Sequence, residues 1–263
     1  MDRLRLRSWS ASGKLAYHGK FGRMHCMTDP VEKVSIGKAP AAPSANPPLA
    51  AMEPAFWHHE LHRVPWCVAL EGQADAIREE ILGFIAKFRP FMPYPKYKIP
   101  HFDSLYDNTW DAFPLSIFQG EHIELSKAQL SMNIEPLVRT FRSRLPLVSS
   151  LISELEQQGV LRNVFVSRLI PGSIIHPHRG WTPEFLRIHL CLQDDPGCSI
   201  TVGDETRTWK QGKLLAFKDG GPYPHSVVHQ GSSERIIISH DLSLDYLSRF
   251  IPELVSGAGG QRS

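Results

Sequence analysis

The sequence predicts a mostly β fold, an antiparallel sandwich or jelly roll that carries a helical N-terminal layer. Three observations predict it. Hydrophobic periodicity is helical in the first half of the chain and changes to two after about residue 160. Six short segments rich in Val, Ile, Leu and Phe then follow in close succession, and Gly, Asp and Pro turns separate them. The helical text comes first and the strands later, which gathers the helices into one layer.

Residues 1–55 are expected to form an arm outside the core, with two readings of its start. The first 25 residues carry six Lys or Arg against one acid and no apolar stretch, so they read as a targeting segment or as an over-long start, with Met27 as the true one. From about 38 to 55 the chain is mostly Ala and Pro, too poor in large apolar groups to pack. Residues 56–160 are expected to be a support region of helices and loops. Within it, Ile77, Ile81, Phe84, Ile85 and Phe88 recur at helical spacing over 74–88 and stop before Pro90. The Pro-rich text of 90–115 reads as a loop wrapping the core, and a second helix is expected over 147–158, with Pro146 at its start and Gly159 past its end. The β-core spans 161–250, with strands at 163–170, 185–193, 198–202, 206–210, 213–218 and 234–241, and 251–263 reads as a flexible tail.

Composition narrows the function. The chain of 263 residues has a net charge of +2 with both signs interspersed, which points to neither nucleic acid nor a membrane surface as partner. No apolar run approaches the ~20 residues of a spanning helix. Cys26, Cys67, Cys191 and Cys198 lack CxxC spacing, which fits a reducing, cytoplasmic setting better than a disulfide scaffold. Oligomeric state has no signature.

The chemistry gathers around "HPHRG", residues 176–180. His178 and His225 lie 47 residues apart at loop edges, where a double-stranded β-helix opens its mouth, and Arg235 follows ten residues later at the start of a strand. Two imidazoles with open positions suit Fe(II). The guanidinium fork suits a carboxylate. This order and spacing is what an oxygenase using Fe(II), O2 and 2-oxoglutarate needs, with the histidines on iron and the arginine on the cosubstrate's far carboxylate. Most such enzymes place a carboxylate two residues after the first histidine, but here that residue is Gly180. Arg187 and His189 are two apart on one strand and share a face. "HFD" (His101 to Asp103) and "HHELH" (residues 58–62) are rival metal motifs; the first has no distal histidine at barrel spacing, and the second reads as a solvated helix start.

Over residues 163–244 the chain resembles the aspartyl/asparaginyl β-hydroxylases, in "SRLIPGSIIHPHRG", in "LRIHLCLQDDPGCSITVGDETRTWKQGKLLAFKDG" and in "PHSVVHQGSSERIIISHD". The resemblance implies a double-stranded β-helix with His178 and His225 on iron. Gly180 falls on the family's own glycine, and Ser167, Arg187, His189 and Arg235 fall on its 2-oxoglutarate set. The reaction implied is hydroxylation of an unactivated C–H bond of an amino acid, an amino-acid residue or a related small molecule, with succinate and CO2 as coproducts. Trp181 and His176 are candidate substrate contacts. Two basic positions that the family places near its acidic substrate are Phe165 and Phe185 here, which suggests a smaller or more apolar substrate. Two further readings stay open: a halogenase loading chloride beside Gly180, and a metal-free cupin-like binding module.

Overall fold

The computed structural model describes residues 53–117, 135–180 and 183–256. A 3-10 helix, His58–Arg63, leads into α1 (Pro65–Gly72) and α2 (Ala74–Phe88), followed by β1 (Met92–Pro93), β2 (Tyr106–Asp107) and β3 (Trp110–Ile117). Helices α3 (Glu135–Arg142) and α4 (Pro146–Gln157) precede the strands β4 (Leu161–Leu169), β5 (Ile174–His178), β6 (Phe185–Gln193), β7 (Cys198–Val202), β8 (Glu205–Thr208), β9 (Leu214–Lys218), β10 (His225–His229) and β11 (Arg235–Ser243). Short helices α5 (Leu244–Leu247) and α6 (Glu253–Ser256) follow.

The strands form two antiparallel sheets, one of six strands in the order β1-β3-β4-β11-β6-β9 and one of five in the order β2-β5-β10-β7-β8. Alternation along the strands of the larger sheet sends side chains to two different environments. On β6 and β11 the even positions Leu186, Ile188, Leu190, Ile236, Ile238 and Leu242 pack against Trp66 and Leu70 of α1, Ile77, Ile81 and Phe84 of α2 and Val148, Ile152 and Leu155 of α4. Each fully buried side chain of this kind contributes about 2 kcal/mol. The odd positions face the second sheet, where Cys191 and Ile237 join Trp110, Ile175, Ile200, Trp209, Phe217 and Val227 in a separate cluster. Because both faces are covered, β11 is buried along nearly its whole length.

Several features differ from the sequence expectation. The expected loop at 90–115 contains most of β3, which pairs with β4 along seven residue positions. Pro114 hides this strand from a pattern reading, yet β1 covers β3 only at Ala112 and Asp111, so Pro114 lies on an otherwise open edge where no ladder donor is missed. Glu53 and Ala55, expected in the arm, already pack: Glu53 pairs with Lys218, and Ala55 lies against the inner cluster. The expected tail is structured through Ser256, because Ile251 and Leu254 are buried in the helical cluster. "HHELH" does start a helix as expected, but a 3-10 one, in which positions i and i+4 do not share a face, and the His62 ring meets the His59 carbonyl at 2.7 Å. Residues 1–52 and 257–263 lie outside the described residues.

His240, an even position on β11, is turned toward the helices and meets the Trp66 ring edge-on at 5.1 Å. Burial lowers its pKa from 6.5 to about 4. The unfolded chain takes up this proton near pH 6.5 while the native state refuses it until about 4, so the associated stability is complete above 6.5 and is lost as pH falls through that window. The loss is on the order of 3 kcal/mol. Thermal melts from pH 7.5 to 4.5 are expected to show a steep acid decline in the native protein and a shallower one in His240→Phe; equal slopes would contradict the assignment.

Candidate active site in the barrel lumen

The space between the sheets is lined by odd-numbered positions of β6 and β11 and by the two histidines at its mouth. His178 ends β5 and His225 opens β10, and the two are cross-strand partners. Between His225 and Val227 the pairing slips, so that β5 spends three residues, from Ile175 to His178, where β10 spends two. This bulge brings His178 to the side where Ile175 packs, which alternation alone would deny it. The imidazole centroids of His178 and His225 are 4.2 Å apart. His178 Nδ1 donates to the His176 carbonyl at 2.8 Å, which leaves Nε2 with its lone pair toward the mouth. Burial, with His225 beside it, lowers the His178 pKa to about 4, so the ring is neutral and ready to bind a metal at pH 7.

Asp219 completes this end of the lumen. A side-chain carbon placed on Gly180 would lie 1.7 Å from Asp219 Oδ2, so the carboxylate fills the space that a larger residue at 180 would use. The Gly180 N–H also donates to the Asp219 carbonyl at 2.8 Å, tying the end of β5 to the end of β9. Asp219 Oδ1 lies 3.2 Å from His225 Nε2 and accepts a short hydrogen bond from Arg187. Arg187 in turn donates from Nε and Nη2 to Asp241 at 2.8 and 3.0 Å. Burial alone would raise the Asp219 pKa, but Arg187 and the hydrogen bond to His225 hold it well below the ordinary carboxylate range. The two imidazoles are a donor pair of the kind that suits a divalent cation, and this ionised carboxylate puts negative charge beside them.

A buried arginine marks the opposite end. Arg235 is only 2% exposed, and among the described residues no carboxylate pairs with it. Its guanidinium lies over the Trp209 ring at 4.8 Å and donates to the Ser167 carbonyl and hydroxyl at 3.3 and 3.2 Å, while Nε has no partner. Ser167 Oγ also accepts from Trp110 Nε1 at 3.0 Å, so both of its lone pairs are used and its own proton remains for an acceptor. Trp209 Nε1 donates to His189 Nδ1 at 3.2 Å, which places the His189 proton on Nε2. Burial, with Arg187 and Arg235 nearby, keeps His189 neutral.

The structure thus gathers His178, His225, Arg187, His189, Ser167 and Arg235 around one lumen. Arg187 and His189 share the inward face of β6, but the Arg187 fork is held by Asp219 and Asp241 rather than left open for an acid. His176 is turned away from the histidine pair: its Nε2 lies 3.0 Å from Asp107 Oδ2, and its ring stacks on Phe102 at 4.1 Å. Trp181 lies outside the described residues. His101 lies in a turn at φ 72° and Asp103 pairs with Lys98, and no cluster of three or more metal-binding side chains occurs there or elsewhere among the described residues. Sequence reading missed Asp219 and Asp241. The only signal for Asp219 was alternation, since Leu215 and Phe217 point inward and 219 continues the series. It also missed Tyr94, which stacks on Trp110 at 3.7 Å and approaches Phe165 at 6.2 Å, making an aromatic wall beside Arg187. Next to the mouth, a cavity of about 830 Å³ is lined by Glu184, Phe185, Lys218, Gly220, Pro222 and Leu244.

Gly180→Asp is expected to destabilise the fold by about 1–3 kcal/mol, because the new side chain displaces Asp219 from Arg187. Adding Asp219→Gly should recover part of the loss. A single Gly180→Asp variant that melts with the native protein would contradict this packing.

A family model described as aspartyl/asparaginyl beta-hydroxylase matches residues 71–243. Curated relatives include the human aspartate beta-hydroxylase domain-containing protein 2, 37% identical over 87 residues, which are 32% of this chain and 23% of that protein. The mouse aspartyl/asparaginyl beta-hydroxylase is 42% identical over 73 residues, covering 27% of this chain and 10% of the relative. The chain therefore matches no more than about a quarter of the length of these relatives. Among solved structures, a Pseudomonas putida prolyl-4-hydroxylase aligns with 65% of this chain and 86% of its own at 14% identity and a TM-score of 0.38, too distant to bear on function. The family match covers about two thirds of the chain, and the protein belongs to the aspartyl/asparaginyl beta-hydroxylase family.

Proposed function

We propose that this protein is an Fe(II)- and 2-oxoglutarate-dependent oxygenase that hydroxylates an unactivated C–H bond of an amino-acid residue or a related small molecule. The observation that carries the reading is Arg235, a buried cation at the base of the lumen with no acid beside it among the described residues. An unpaired buried charge is costly. A dicarboxylate cosubstrate entering the lumen supplies the missing anion, and the Ser167 proton and the Arg235 fork are placed to receive its far carboxylate.

His178 would hold the iron through Nε2, and His225 through the Nε2 that here meets Asp219, the metal taking the place of that hydrogen bond while Asp219 supplies negative charge beside it. When bound, iron and 2-oxoglutarate supply oxygen activation coupled to oxidative decarboxylation, and with it the oxidising power for C–H hydroxylation. The remaining work belongs to the chain. Arg187 keeps Asp219 ionised and in place, and His189 offers an Nε2 proton toward the middle of the lumen. The apolar residues Ile237, Phe217, Trp209 and Val227 exclude water from the reacting centre. Phe165, level with His189 across β11, and Phe185, at the start of β6, stand where the family has basic residues, so the substrate group that meets them carries no strong negative charge.

The geometry favours this reading over a halogenase and over a metal-free binding module. A halide would have to fit beside Gly180, where the Asp219 carboxylate already sits and repels it. A metal-free binding module leaves Arg235 unneutralised and gives no role to two imidazoles held 4.2 Å apart.

Anaerobic titration with Fe(II) and 2-oxoglutarate, followed by the metal-to-ligand charge-transfer absorption, tests the proposal. The native protein should develop the band, His225→Ala should lose it, and Arg235→Ala should need roughly 100-fold more 2-oxoglutarate, in line with about 3 kcal/mol for a buried charged pair. No band in iron-replete native protein would overturn the reading.

A further inference from the structure

One polar side chain of the lumen has no duty in the site described so far. Ser239 is completely buried in the middle of β11, and its hydroxyl has no hydrogen-bond partner. It lies between Ile237, in the inner cluster, and Asp241, which holds Arg187, so it shares their inward face. The register puts it opposite Phe165 on β4 and His189 on β6.

The neighbouring inward positions give that place its meaning. The Arg235 guanidinium reaches Ser167, the cross-strand partner of Ile237, so the anion end lies one inward step to one side of Ser239. Asp241 and Arg187, which fix Asp219 beside His225, lie one step to the other. Ser239 therefore stands between the anion anchor and the metal end, level with His189. A buried hydroxyl that satisfies nothing is costly to keep. Of the other two buried orphan atoms on β11, Arg235 Nε belongs to the buried guanidinium already described, and His240 Nδ1 belongs to a ring turned away from the lumen and packed against Trp66.

We propose that Ser239 is a cosubstrate-binding residue whose hydroxyl donates to an oxygen of the keto-acid end of 2-oxoglutarate, beside the Nε2 proton of His189. This rests on the oxygenase reading above and adds a donor to it. The oxygens at that end of the cosubstrate are acceptors only, and Ser239 offers a proton that no described residue accepts.

Ser239→Ala tests it without turnover. The dissociation constant for 2-oxoglutarate, read from the anaerobic charge-transfer absorption, should rise about tenfold, as for loss of one hydrogen bond to a charged acceptor. Affinity for Fe(II) alone should not change. The ligand-free variant should melt at or above the native temperature, since an unsatisfied hydroxyl has been removed, and its gain on adding Mn(II) with 2-oxoglutarate should be smaller. An unchanged 2-oxoglutarate constant, or a lower melting temperature of the ligand-free variant with unchanged affinity, overturns the role of Ser239 and leaves the oxygenase reading intact. Failure of the native protein itself to bind 2-oxoglutarate overturns both.

Discussion

Arg187, clamped between Asp219 and Asp241, is the interaction on which the site depends. Three buried charges in contact are expensive to desolvate, and such a group is retained where its geometry is needed rather than for stability. Here the geometry places a carboxylate beside His225 and over Gly180. The group carries one net negative charge, which would favour a divalent cation at this end of the lumen, as proposed above. Arg235 carries the opposite charge at the other end. A lumen polarised in this way matches a metal and a dianion lying side by side, and neither ligand alone would balance it.

The fold makes this polarity affordable by separating it from the hydrophobic work. Even positions of β6 and β11 pack on the helices and supply most of the core. Odd positions are thereby released from packing duty, and Arg187, His189, Arg235, Ser239 and Asp241 occupy them. The β5 bulge adds the one side chain that strict alternation would misplace. Glycine at 180 is the corresponding concession at the mouth, because any larger residue there meets Asp219.

Most of the longer strands and helices were legible in the sequence to within a few residues: β6 and β7 match their expected ranges, and α2 runs over 74–88 as its apolar spacing requires, whereas β5 and β10, which carry His178 and His225, read as loop edges. Irregular features were not. Pro114 concealed β3, and α1 and α3 passed unnoticed, α3 with its single buried residue, Phe141, leaving little apolar pattern. The histidine pair and Arg235 could be read because their chemistry fixes residue type and spacing. Asp219 could not, since an acid in an Asp-Gly turn reads as turn chemistry until the strand before it is placed. Arg187 was visible as a charge on an inward face, but its clamp was not, because Asp241 reaches it from a neighbouring strand 54 residues on.

The account stands on a lumen with a cation end and an anion end. A crystal structure with Mn(II) and N-oxalylglycine, an unreactive analogue of the cosubstrate, measures this most directly. The account predicts an anomalous peak between His178 and His225, with the analogue's far carboxylate on Arg235 and Ser167. Metal bound elsewhere, or an analogue seated at the outer cavity with Arg235 still unpaired, would contradict it.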